Sequence, residues 1–496
     1  MKCRFNPDKK NIGIEFRDGQ SIDIEQHWDK ETDLKRLPLE TQMMKSAREL
    51  PFPSATLEWS EQCKSENLLF EYSLTSMINP LAAEGQYLSF SVTVTNSGHD
   101  TRCLHLQQKI SGLPLGGKMF APSAKGIYEM TKAKKNAPVV GYRAAHDFDD
   151  CFLSIPMVSF LEEADDIGYT FCAHIEMPVP PFICRVDGSQ VLLERKVLDL
   201  RPGESRTVRH YLIRHTGCWR SGLAWVREKF SKFFMLADNA LAEKTHGCFI
   251  YSNVADKKLC DQFVKEGVKD LEIHFTLPFF GKYVPEEEAW IPMLDDKWNA
   301  IKKTTDPAAP AEDAPYQDIK RYMSGVVKAN MTKARVSEFI HRLKSLGIQS
   351  FIYFMPTEGW EFFVKWEYPE AVYRNTDGSP SVTWKDHNQL NSSPQTRWGH
   401  YICRQLEGLL DMYPEVDGIF MDQSALDRND YTVCQITDRL AKIAAERGKL
   451  CYWNGPYLVE LIEHAVGMVA ESGPMGGGID KVLDHRQQGL LWIGFF

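Results

Sequence analysis

Through the first 215 or so positions, apolar residues tend to recur at every second place. In "LSFSVTVTNSGHD", residues 88–100, Leu88, Phe90, Val92 and Val94 alternate with small polar residues before an Asn-Ser-Gly turn. That period of two predicts a half-buried antiparallel strand. Residues 191–216, "VLLERKVLDLRPGESRTVRHYLIRHT", read as two such strands joined through Pro202 and Gly203. Further strands are expected at "LLFEYSLTSM", "CFLSIPMVSF" and "GYTFCAHIEM". A series of this kind predicts a large β-sandwich, whose simplest role is support.

The period then changes. Residues 221–241 place Leu223, Val226, Phe230 and Phe234 on one helical stripe, as expected of a helix between domains. From residue 248 onward, short apolar runs alternate with helix-like stretches. The runs are "CFIYSN", "DLEIHFTLPFF", "QSFIYFMP", "DGIFMDQ", "LCYWNGP", "AVGMVAESG" and the closing "GLLWIGFF". Strands alternating with helices predict parallel βα units. The one glycine cluster, "SGPMGGGID", lacks the spacing of a nucleotide-binding turn. A (β/α) barrel of the TIM type explains the rest better. Seven strands are counted where eight are usual, so a strand is unrecognised or the barrel is incomplete at the C-terminal side. The expected domains are a sandwich over 1–218, a linker helix over 219–245 and a barrel over 246–496.

The 496 residues suit two or three domains, and 43% hydrophobic with 25% charged residues is an ordinary globular balance. A net charge of −9 without a basic stripe argues against a nucleic-acid partner. No apolar run is long enough to span a bilayer. The twelve cysteines are scattered without zinc spacing, which predicts free, mostly buried thiols. The N-terminus lacks the apolar core of a secretory signal, so the expectation is a cytoplasmic protein, with a removed signal as the alternative.

Barrel chemistry gathers at the C-terminal ends of the strands. Those ends carry Asn253, His274, Glu358 with Trp360 and Glu361, Asp422 with Gln423, Trp453 with Asn454, and Glu471. No serine-nucleophile elbow is present, and no metal or organic cofactor is implied. Carboxylates with indoles and amides suit sugars: two carboxyls can cleave a glycosidic bond, and Asn, Gln and His can bond hydroxyls. Two long connections, 281–332 and 357–395, read as a mobile excursion and as a wall of the substrate pocket. Asp386 and His387 in the second are possible subsite contacts. Trp453 and Trp360 are sugar platforms or rim packing, and His274 a hydroxyl contact or a satisfied core histidine.

The runs "VDGIFMDQ", "YWNGP" and "VAESG", with the stretch 198–230, resemble retaining glycoside hydrolases of the α-galactosidase-like clan and related bacterial families. The resemblance implies a sandwich plus barrel, an oligosaccharide or glycoside substrate, and cleavage of an α-linkage. It implies a nucleophile at the end of strand four and an acid/base at the end of strand six, roles that fall on Asp422 and Glu471. The chain departs from the α-galactosidase pattern in lacking Lys-x-Asp at strand four and in having Glu at strand six, which leaves the sugar open. Glu358 is the rival acid/base. Asp417, at the closed end of strand four, is expected to be structural. The alternatives are a catalytically silent or carbohydrate-binding barrel, and a barrel isomerase or lyase using carboxylates.

Overall fold

The computed structural model describes residues 2–6, 11–15, 20–28, 42–44, 57–65, 68–78, 86–123, 126–130, 139–142, 153–176, 179, 181–234, 248–311, 313–375, 377–384, 386–422, 431–454, 459, 467–470 and 492–494. These divide into two compact units meeting in sequence at Phe233 and Phe234.

The first unit is a sandwich of two antiparallel sheets. One sheet runs in the order Lys2–Asn6, Asn11–Glu15, Ser21–Trp28, Arg102–Ser111, Gln190–Leu200, Phe182–Asp187, Val139–Tyr142. The other has nine strands and is centred on Ile167–Ala173, Ser205–His215, Gln86–Asn96 and Leu68–Ile78. The period-two pattern acts as expected: Leu88, Phe90, Val92 and Val94 are all buried. Helix α1, Trp219–Lys229, packs on the nine-stranded sheet. Gly222 permits that approach, because a Cβ there would stand 2.1 Å from the Thr170 hydroxyl. The striped residues Leu223, Val226, Phe230 and Phe234 are buried, although the helix proper ends at Lys229.

The second unit holds seven parallel strands: β1 Cys248–Ser252, β2 Val268–Ile273, β3 Gln349–Phe354, β4 Gly418–Met421, β5 Leu450–Asn454, β6 Gly467–Ala470 and β7 Trp492–Gly494. They are hydrogen-bonded in chain order, and β7 also lies against β1. Strands in sequence order whose ends meet form a (β/α) barrel. The helices that return the chain include α2 Lys257–Lys265, α5 Lys333–Ser345, α7 Arg397–Met412 and α8 Tyr431–Glu446. Rings plug the interior: Phe249 lies 5.2 Å from Tyr452 and 5.9 Å from Phe420, and Phe351 lies 4.7 Å from Tyr452. Cys260, Cys434 and Cys451 are buried free thiols here, as Cys172 and Cys184 are in the sandwich.

The long connections are built differently from expectation. The segment after β2 carries α3 Leu294–Lys302, α4 Tyr316–Val326 and a small sheet pairing Ala289–Trp290 with Met331–Thr332. It is structured, not a featureless excursion. The segment after β3 forms a three-stranded sheet of Glu358–Trp360, His387–Gln389 and Val382–Trp384, with helix α6 Glu361–Glu367. Both therefore bury cores of their own.

Candidate active site

Alternation along the barrel strands decides which side chains converge. It puts Asp270, Glu272 and His274 on one side of β2 and its exit, Phe351 and Tyr353 on β3, Phe420 and Asp422 on β4, and Tyr452 and Asn454 on β5. Phe249, Phe351, Phe420 and Tyr452 fill the interior, so the same parity carries His274, Asp422 and Asn454 to the open end. The ladder continues past the named strands to hold them, with Asp422 N donating to Phe354 O at 2.9 Å and His274 N donating to Ser252 O at 2.9 Å.

Asp422 is the centre of this group. The Tyr353 hydroxyl donates to its Oδ2 at 2.7 Å, and the Asn454 amide donates to its Oδ1 at 2.9 Å. Each carboxyl oxygen thus has its own donor. Burial first, and then the charge of Asp422, push the Tyr353 phenol well above its ordinary range. Tyr353 therefore keeps its proton and remains a donor. Asn454 and Tyr353 join Asp422 from neighbouring strands, and only Asn454 had been singled out in the sequence.

A second group lies beside it. His274 is hydrogen-bonded through Nδ1 to Glu272 Oε1. Its ring stands edge-on to Tyr353 at 4.6 Å, and the exposed Tyr251 ring lies 5.5 Å away on β1. His274 thus serves neither of its expected roles alone: it is bonded like a core histidine yet reaches the open end. Phe275, next in the chain, has φ of 50°. Such a conformation in a bulky residue costs about 1–3 kcal/mol and accumulates at functional sites. Burial is the main cause that raises the Glu272 carboxyl; the His274 bond opposes it, and the Asp422 charge adds to it.

That shift has a consequence for stability. A carboxyl raised in the folded state binds protons better there than in the unfolded chain, so it stabilises the fold below its unfolded pKa of about 4.3 and loses that contribution as pH rises. Glu272→Gln keeps the neutral form at every pH. Its Tm is expected to exceed that of the parent at pH 8, with the gap closing towards pH 4. A variant equally destabilised at both values would show that the ion pair with His274 outweighs burial.

The remaining candidates separate. Asp417 accepts from Ser350 N at 2.9 Å and Ser350 Oγ at 3.2 Å, a strand-end tie that fits its expected structural role. Trp360 is 0% exposed and packs against Phe279 and Phe362, so its ring is core and offers no sugar platform. Glu358 is likewise buried, with its Oε2 3.8 Å from His387 Nδ1. His387 Nε2 lies 2.5 Å from Asp295 Oδ2, and all three groups are buried. Glu358 and His387 thus belong to an internal charge cluster, not to a substrate wall. Asp386 accepts from Lys302 Nζ at 3.1 Å. Gln423 and Glu471 lie outside the described residues, as does the side chain of Trp453, whose backbone pairs with Met421. Among the described residues, no group of three or more His, Cys, Asp or Glu could hold a metal ion. A cleft lined by Phe279, Trp290, Leu294 and Tyr316 lies in the first excursion, and none of the candidates lines it.

Sequence reasoning missed Glu272, Tyr353 and Tyr251. The signal for the first was present: "DLEIH" alternates, with its polar residues inside the barrel and its apolar ones outside. Tyr353 carried no signal, because an aromatic in a buried strand reads as packing.

No family model matches the chain, and no curated protein does. Solved structures do. The GH36 α-galactosidase AgaB of Geobacillus stearothermophilus aligns over 99% of this chain and 78% of its own, with a TM-score of 0.53 and 11% identity. The fold is that of the GH36 α-galactosidases. AgaA of the same organism, in complex with raffinose, gives a TM-score of 0.51 at 11% identity over 97% of this chain. The α-galactosidase of Lactobacillus brevis gives 0.51 at 11% over 96%. This chain spans 66% of AgaA and 64% of the L. brevis enzyme. At such identity the GH36 likeness is one of fold, and chemistry has to be argued from the side chains.

Proposed function

We propose that the chain is a retaining glycosidase acting on an α-linked glycoside or oligosaccharide. Asp422 attacks the anomeric carbon, and Glu471 protonates the leaving oxygen and then activates water. The observation that carries this reading is Asp422 itself, a carboxylate at the open end of β4 held by neutral donors on both oxygens. Neutral donors orient an anion without cancelling its charge, which suits attack on a carbon developing positive charge. Support for Glu471 is positional. It stands in the run "VAESG" that carries the sequence resemblance, just after the last residue of β6. The GH36 fold adds to the prior, and AgaA complexes with raffinose and stachyose make an oligosaccharide the substrate class to try first. Asn454, His274 and the exposed Tyr251 ring are the proposed sugar contacts, and Gln423, Trp453 and Asp386 complete the candidates. A cytoplasmic site of action goes with this reading as a proposal.

A panel of 4-nitrophenyl α- and β-glycosides tests the reading, with the anomer of the first-formed sugar followed by NMR. Turnover of an α-glycoside with net retention is expected. Net inversion would remove Asp422 as nucleophile. Sugar binding without turnover of any glycoside would favour the silent barrel.

A further inference from the structure

A hydroxyl from the first excursion closes the end of β3. That strand stops at Phe354, and the next residue, Met355, is buried. In a parallel ladder, successive residues turn their backbone N–H and C=O to opposite neighbours. Phe354 turns its carbonyl to β4, where it accepts from Asp422 N at 2.9 Å. Met355 therefore faces the side of β2, which has already ended at Ile273. Tyr283 takes the place of the absent strand. Its hydroxyl donates to Met355 O at 2.6 Å and accepts from Met355 N at 2.9 Å, so one oxygen satisfies both backbone groups. Its ring lies 4.2 Å from that of Phe354, and burial raises the phenol, which keeps its proton and stays a donor.

Tyr283 is itself fixed from outside the barrel. It stands two residues past Gly281, whose φ of 92° turns the chain where a Cβ would come within 2.9 Å of Trp398 Cη2. Beyond the turn, Gln405 Oε1 on α7 accepts from Tyr283 N at 2.8 Å and from Val284 N at 2.9 Å. Tyr283 and Gln405 are both buried, so water competes little for these bonds. A path of hydrogen bonds thus runs from α7 through Tyr283 to Met355. The two residues before Met355 grip Asp422: Phe354 O holds its N–H, and the Tyr353 hydroxyl donates to its Oδ2.

We infer that Tyr283 is a positioning residue for Asp422: its hydroxyl fixes the end of β3, and β3 fixes the carboxylate through Phe354 O and the Tyr353 hydroxyl. The inference rests on Asp422 being the catalytic carboxylate. It gives a residue of the first excursion, which carries none of the reacting groups, a share in the precision of the site.

Tyr283→Phe keeps the ring and deletes the one oxygen that serves Met355. Two readouts separate positioning from packing. Amide hydrogen exchange, followed by mass spectrometry, is expected to quicken about tenfold at Met355 and Asp422, while the sandwich strand Gln86–Asn96 exchanges as in the parent. For an aryl α-glycoside, well below the melting temperature, kcat is expected to fall about 10- to 100-fold with KM held within about twofold. A variant that melts earlier but keeps the parental kcat and the parental exchange at Asp422 would overturn the inference and leave Tyr283 as packing. A raised KM at constant kcat would overturn it as well. If Tyr283→Phe does not fold, Gln405→Leu slackens the same path from α7 and should quicken exchange at the same two residues, by a smaller factor. Parental exchange at Asp422 in that variant would equally end the inference. Exchange needs no turnover. A parent that hydrolyses no glycoside, with Asp422 exchange quickened in Tyr283→Phe, would sink the glycosidase reading and leave the hold of Tyr283 on Asp422 standing.

Discussion

Asp422→Asn is expected to lower kcat/KM for an aryl α-glycoside by about 10³-fold or more, the equivalent of about 4 kcal/mol of transition-state stabilisation. The substitution keeps the shape and removes the charge. The amide can still accept from the Tyr353 hydroxyl through its oxygen, but its NH2 then faces the Asn454 amide, donor against donor. That lost bond should cost only about 1–2 kcal/mol of stability while the reaction stops, and thermal unfolding measured alongside kinetics separates the two. Asp422→Gly takes the argument further by opening space beside the anomeric carbon. With added azide, an azide nitrogen would bond to that carbon while the aglycone leaves with a proton from Glu471. The product would be a glycosyl azide of inverted configuration. Near-parental rates in Asp422→Asn would end the assignment, and rescue without inversion would show that attack occurs from the other face.

The architecture was legible because it is written in periodicity. Leu88, Phe90, Val92 and Val94 alternate with polar residues and are all buried, and the later apolar runs became the barrel strands. Strand four was legible to the residue: Asp417 ties down the closed end, and Asp422 stands at the open one. What stayed hidden depended on tertiary structure. Trp360 was left between sugar platform and rim packing because its long connection was read as a pocket wall, whereas that segment folds a small sheet and buries the ring. Glu272 was passed over because it lies within β2 and not at its exit, where the polar residues were sought. Asp295 and His387 lie 92 residues apart, and no local pattern links them. Only the docking of one excursion on the other makes them partners.

That docking sets the second large expectation. Asp295 and Lys302 are seven positions apart on α3 and so share a face of the helix. The same face meets adjacent residues of the second excursion, Asp295 with His387 and Lys302 with Asp386. The two pairs should differ greatly in weight. Lys302 and Asp386 keep 21% and 25% of their side-chain exposure, so water screens them, and Lys302→Ala should cost no more than about 1 kcal/mol. Asp295, His387 and Glu358 keep 2%, 1% and 1%. Removing the imidazole takes from two buried carboxyl groups the partner that both face, and breaking a buried pair from one side costs about 3–5 kcal/mol. In a unit of this size that corresponds to a fall in Tm on the order of 10 °C for His387→Ala. The decisive comparison is with the triple variant Asp295→Asn, Glu358→Gln, His387→Ala, which leaves the same cavity but no stranded charge. If charge is the cause, the triple variant recovers much of the loss in urea unfolding, despite carrying two further substitutions. Equal instability of the single and triple variants would assign the cost to the cavity, leaving the cluster as packing and not as an electrostatic tie between the two excursions.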